Sequence, residues 1–86
     1  MTRLWPDGEA VSVQLNAGGW PDRFTWQGRT HAVRQVRQRW QVDSDWWSEA
    51  GRVWREYLAL TTADGLLCVL YFDLAQANWY LAAVYD

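Results

Sequence analysis

One histidine, one cysteine and a cluster of arginines are the residues of this 86-residue chain whose types could do chemistry. Acid–base or nucleophilic catalysis needs a His, Cys or Ser with an orienting partner. Cys68 lies inside the apolar run 66–72 and reads as a small core residue, since free Cys is among the most buried types. His31 reads as a strand residue packed on Trp26 rather than a base or a ligand. Asp43, Asp45 and Glu49 could offer carboxylates to Mg²⁺, but their spacing is nonspecific and suits a capped, solvated loop better. Gly18-Gly19 is a turn signal and lacks the Lys-Ser/Thr that follows in a phosphate loop. With one Cys, neither an internal disulfide nor a cysteine zinc site can form. The chain is therefore expected to be no enzyme and to carry no cofactor.

The arginines are the stronger signal. Residues 23–42 hold Arg23, Arg29, Arg34, Arg37 and Arg39 and no carboxylate, a charge of +5, while residues 1–22 carry −2 and residues 43–86 carry −5. The net charge of −2 hides this polarity. Arginine on a curved sheet beside aromatic side chains can hold single-stranded nucleic acid through phosphate contacts and base stacking. Arg23, Arg34, Arg37 and Arg39 are thus candidate nucleic-acid contacts, with single-stranded DNA as the candidate ligand. The alternative is a solvated strand face whose arginines pair with the acidic C-terminal half, and net acidity favours it. Trp46-Trp47 reads either as a stacking platform or partner hot spot, or as a plug that closes one end of a small core.

The elements that position these residues follow period 2 better than period 3.6. Val11, Val13 and Leu15 alternate with polar residues, and residues 16–19 break the strand. Phe24 and Trp26 alternate with Arg23 and Thr25 before Gly28-Arg29, which suits a two-residue hairpin turn. That register pairs Trp26 with His31, Phe24 with Val33 and Arg23 with Arg34. A β-bulge near Arg34 or Gln35 brings Val33 onto the face of Val36, Trp40 and Val42. Residues 43–51 read as a loop or one helical turn, with Asp43 or Ser44 as N-cap. Segments 53–62, 66–73 and 78–85 form a meander. If Asp64-Gly65 is a two-residue turn, Leu58, Leu60, Tyr71 and Tyr80 share a second apolar face. That face must be covered by the N-terminal strands, by another subunit or by a partner; these four residues are candidate partner-binding positions and a homodimer is expected.

The whole chain is expected to form one domain, 1–86. A short chain buries a small fraction of its surface and needs large core side chains; fourteen aromatic residues, eight of them Trp, supply them. Trp26, Trp40 and Trp79 are expected to be buried. The fold class is all-β, with five to six short antiparallel strands in a partly open barrel or strongly curved sheet, SH3-like in scale. No apolar run reaches the length of a membrane helix and the opening residues lack a signal-type apolar region, so a cytoplasmic protein without membrane contact is expected.

One pattern spans most of the chain. Pro21, Phe24, Trp26, Gly28, Arg29, His31, Val33, Val36 and Trp40 are followed by Trp46-Trp47, Arg55 and Tyr57, Asp64-Gly65, Asp73, Trp79, Leu81 and Tyr85-Asp86. In this order the chain resembles a small bacterial domain of unknown function, found alone or fused to the C-terminus of proteins similar to Y-family DNA polymerases. Those proteins include the catalytically inactive kind that works with damage-inducible mutagenesis complexes. The resemblance implies an accessory role in DNA damage tolerance, with a protein of that process as partner and no catalytic residues. The chain departs from the pattern at His31, where an aromatic is common, and at Arg37, where an aliphatic is common.

Overall fold

Two turns set the register of the sheet. At residues 27 and 28 both backbones have positive φ, 52° at Gln27 and 73° at Gly28, which is a type I′ turn whose twist suits a two-residue hairpin. The computed structural model describes residues 2–44 and 53–85. It pairs Trp26 with Arg29, Thr25 with Thr30, Phe24 with His31 and Arg23 with Ala32. The turn thus falls one residue earlier than the sequence reading places it, and each partner moves by two. Faces survive such a shift because two is the strand period. Arg23, however, lies across from Ala32 and not from Arg34, so the like-charge opposition is absent.

The second turn encloses three residues rather than two. Thr62 N–H donates to Leu66 O (2.9 Å) and Gly65 N–H to Thr62 O (3.1 Å), with Gly65 at φ 91°. One extra turn residue slips the pairing by one and exchanges the faces. Leu58 therefore pairs with Leu70, and Leu60 with Cys68.

Among the described residues seven strands result: β1 (Thr2–Ala10), β2 (Ser12–Leu15), β3 (Pro21–Trp26), β4 (Arg29–Ser44), β5 (Val53–Thr62), β6 (Leu67–Asp73) and β7 (Asn78–Tyr85). Every pairing is antiparallel, in the order β1-β7-β6-β5-β4-β3-β2. The all-β expectation holds, with seven strands instead of five to six. The two edge strands are joined through the single residue Val11, whose N–H donates to Trp79 O (3.2 Å). A sheet whose edges are consecutive in the chain has to curl, and this one forms a curled half-barrel.

The curl encloses Phe24, Trp26, Leu60, Cys68, Leu70, Leu81 and Val84. Trp26 is the anchor. Its Nε1–H donates to Glu9 Oε2 (2.7 Å), Trp5 meets it edge-on at 5.5 Å, and the Arg3 guanidinium lies 4.9 Å over its ring. Cys68 is fully buried, and burial, with the nearby Asp64 charge, pushes its thiol up to about 11. It is a core residue and not a nucleophile.

β4 carries two bulges. Val33 pairs with Thr62 and Gln35 with Thr61, which leaves Arg34 extra; Val36 pairs with Leu60 and Gln38 with Ala59, which leaves Arg37 extra. The first bulge is the one the sequence called for, and it brings Val33 and Val36 onto the core face. The second exchanges the faces again beyond residue 37. Arg39 then pairs with Leu58 on the inner side, and Trp40 pairs with Tyr57 on the outer side. Trp40 is consequently 37% exposed rather than buried, and Trp79 is half-buried against the core.

Tyr71 lies on the outer face, in a row of rings from Trp40 through Tyr57 and Tyr71 to Tyr80, spaced 5.1–5.3 Å. Residues 5–8 of β1 bulge out of register with β7 and cross this row. Tyr71 Oη donates to the Asp7 carbonyl (3.0 Å), and Gly8 rests on the ring so closely that a Cβ there would stand 2.8 Å from Tyr71 Cε2 and 2.8 Å from Tyr80 Cβ. The second sheet face therefore finds part of its cover within the chain.

Candidate nucleic-acid interface

The two bulges distribute the arginines. A bulge leaves its extra residue outside the ladder and re-aims its side chain. Arg34 and Arg37 thus come to line one open cleft with Gln35, Thr61, Thr62 and Gly65. Both are exposed, and no described residue forms an ion pair with either. Arg39 turns to the other side of β4. Its guanidinium lies 5.3 Å over the Trp20 ring, and its Nη1 is 4.0 Å from Glu56 Oε1. Arg23 stands apart on β3, beside Asp22 at 3.6 Å. The four candidate arginines are therefore divided among three places, and only Arg34 and Arg37 share one.

Arg39 opens onto a groove of about 370 Å³ at one end of the half-barrel. Trp20, Phe72 and Trp79 provide its aromatic surface and Leu58 part of its lining. Trp20 and Glu56 escaped the sequence reading. The signal for Trp20 was present in Asn16-x-Gly18-Gly19-Trp20, because Asn side chains build such turns. Glu56 was hidden because its face, shared with Leu58, is set by the three-residue turn, and because only the second bulge brings Arg39 to that face.

The predicted partner positions lie elsewhere. Leu58 and Leu60 are core residues, at 1% and 0% exposure, and Tyr71 is at 2%. The three-residue turn placed both leucines on the inner face, and β1 covers the tyrosine, so none of the three offers an interface. Tyr80 is half-buried, stacked on Tyr71. The outer face keeps a shallower hollow between Leu4, Pro6, Trp40, Tyr57 and Tyr85. Trp46 and Trp47 lie outside the described residues, as do Asp45 and Glu49. Asp43 is a strand residue paired with Trp54, not a helix cap. Among the described residues, no three His, Cys, Asp or Glu side chains are grouped to hold a metal ion.

His31 is buried, with its ring stacked on Phe24 at 5.3 Å and tilted against Trp26 at 6.0 Å. Its Nδ1 is 3.1 Å from Asp64 Oδ2. Asp64 also accepts a hydrogen bond from the Thr62 hydroxyl, whose oxygen accepts from Leu66 N–H (3.0 Å). The Thr62 bond first, then the backbone N–H of Asp64 and the neighbouring His31, hold the Asp64 carboxyl below its usual range. This network pins the β5–β6 turn against β4 and leaves the imidazole enclosed, which is a structural use of the histidine.

The residues matched by a family model run from 6 to 86, and that model is the domain of unknown function DUF6504. The chain belongs to this family. The match takes in both bulges, the groove and Arg34, Arg37 and Arg39. No curated protein and no solved structure matches the chain.

Proposed function

We propose that this DUF6504 chain is a non-enzymatic accessory module of DNA damage tolerance, of the kind associated with Y-family polymerases, that binds a protein partner and single-stranded DNA. The observation that carries the reading is the placement of the β4 arginines. Two bulges leave Arg34 and Arg37 exposed beside one cleft without ion-pair partners among the described residues, and turn Arg39 toward Trp20. Unpaired guanidinium groups can take the phosphates of a strand, and an arginine beside an exposed indole can take a base. The damage-tolerance context comes from the sequence resemblance alone. For the protein partner, the outer hollow offers Leu4, Trp40 and Tyr85, at 63%, 37% and 41% exposure, an apolar patch of the type that marks association sites.

Arg37→Glu tests the DNA half. The side chain is exposed and unpaired among the described residues, so the stability change is expected to be about 0.5 kcal/mol or less, a shift in melting temperature of no more than about 2–4 °C. Single-strand binding is expected to weaken, and its salt dependence to flatten by more than one phosphate contact, because a cation is lost and an anion gained. If the substitution lowers stability while leaving oligonucleotide affinity unchanged, Arg37 is a structural residue and the reading fails.

A further inference from the structure

The groove at the end of the half-barrel carries more chemistry than a phosphate contact uses. Trp20 is 41% exposed, yet its loop is held firmly. Asn16 Oδ1 accepts from the N–H groups of Gly18 (2.9 Å) and Trp20 (3.1 Å), and Asn16 N–H donates to Trp20 O (2.8 Å) while Gly19 N–H donates to Asn16 O (3.0 Å). An exposed indole on an ordered loop can stack on a ligand with little further loss of entropy. Phe72 and Trp79, 5.0 Å apart, continue the aromatic surface. Arg39 and Glu56 meet at only 4.0 Å, with side chains 56% and 34% exposed, so each retains hydrogen-bonding capacity toward a ligand.

This combination selects a planar ligand with a particular edge. An aromatic wall accepts any nucleobase, whereas an ionised carboxylate only accepts hydrogen bonds and is best matched by two adjacent donors. Guanine alone among the DNA bases has two adjacent donors, N1–H and N2–H, on its Watson–Crick edge. Adenine and cytosine set an acceptor beside their one amino group, and thymine has a single N–H between two carbonyls. Guanine also carries O6 next to N1, within the pattern that an arginine beside the carboxylate can satisfy. A cationic peptide side chain would suit the rings and Glu56 but would be repelled by the like charge of Arg39, whereas a neutral base would not.

We propose that the groove holds one unpaired guanine, which takes the place of the Arg39 guanidinium over Trp20, with Glu56 accepting from N1–H and N2–H and Arg39, swung off the ring, donating to O6. The edge in question is occupied in a duplex, so the site reads single strands. The proposal rests on the reading of the chain as a single-strand binder and adds a base preference to it.

The test measures anisotropy of labelled oligothymidylates, one unmodified and the others carrying a single central guanine, adenine or cytosine, with the full chain. The guanine probe is expected to bind roughly tenfold tighter than the other three, as for a good two-donor base contact. Glu56→Gln should remove that preference while retaining affinity for oligothymidylate, and Trp20→Ala should weaken all four probes. Trp20→Leu, checked by melting temperature, separates loss of stacking from loss of folding. Equal affinity for the four probes, or a guanine preference that survives Glu56→Gln, overturns the proposal and leaves the arginine reading in place. Failure of the wild-type chain to bind any probe overturns both.

Discussion

Replacing Trp26 by alanine is expected to leave the chain largely unfolded at physiological temperature. The indole is 6% exposed and joins parts of the chain distant in sequence, with Glu9 on its Nε1–H at 2.7 Å and Trp5 at its edge. Truncation of a buried Trp costs about 3–5 kcal/mol, against a total of about 5–15 kcal/mol for a whole domain. In a chain of this length that corresponds to a fall of roughly 15–30 °C in Tm. Trp40→Ala is the control. Its ring stacks on Tyr57 at 5.3 Å but stays 37% exposed, and the lost aromatic pair is worth about 0.5–1.5 kcal/mol beyond its buried area. Thermal melts of the two variants check the face assignment of β4 directly, because the sequence reading places both rings inside. Equal losses for the two would mean that the second bulge is wrong.

Gly8→Ala is expected to detach the N-terminal strand. The residue has φ 75°, where an L side chain costs about 1–2 kcal/mol, and its new Cβ would stand 2.8 Å from both Tyr71 Cε2 and Tyr80 Cβ. Overpacking of this kind adds about 1–3 kcal/mol. Gly28→Ala measures the backbone contribution alone, since Gly28 has a similar φ of 73° and nothing within 4 Å of an added Cβ, and the difference between the two variants gives the overpacking. Hydrogen exchange distinguishes local from global loss. In the Gly8 variant the β1 and β7 amides should lose protection while those between β5 and β6 keep theirs. Equal destabilisation by the two substitutions would show that β1 does not press on Tyr71.

The parts of this fold legible in sequence are those that depend on alternation alone. The hairpin of Phe24 and Trp26, the three-strand meander and the bulge after Val33 all follow from period 2 and turn residues. The illegible parts depend on counting residues through irregularities. One residue in the turn of Asp64-Gly65 moved Leu58 and Leu60 from a proposed interface into the core, and one bulged residue, Arg37, exchanged Arg39 with Trp40. β1 escaped notice because Trp5-Pro6-Asp7-Gly8 reads as a turn, and its strand character comes from pairing with β7, at the other end of the chain. The arginines were visible as a charge cluster. Their division between a cleft and an aromatic groove was not, because composition carries no information on which side of a strand a residue faces.

The most direct measurement is the anisotropy of a labelled single-stranded oligonucleotide titrated with the wild-type chain across a salt series, with a duplex of the same sequence alongside. Binding to the single strand should saturate at low salt and exceed binding to the duplex. If Arg34 and Arg37 each neutralise one phosphate, at about −0.7 per contact, log affinity should fall with log salt at a slope of about −1.4. A single strand that stays unbound at low salt, where electrostatic attraction is strongest, would contradict the account.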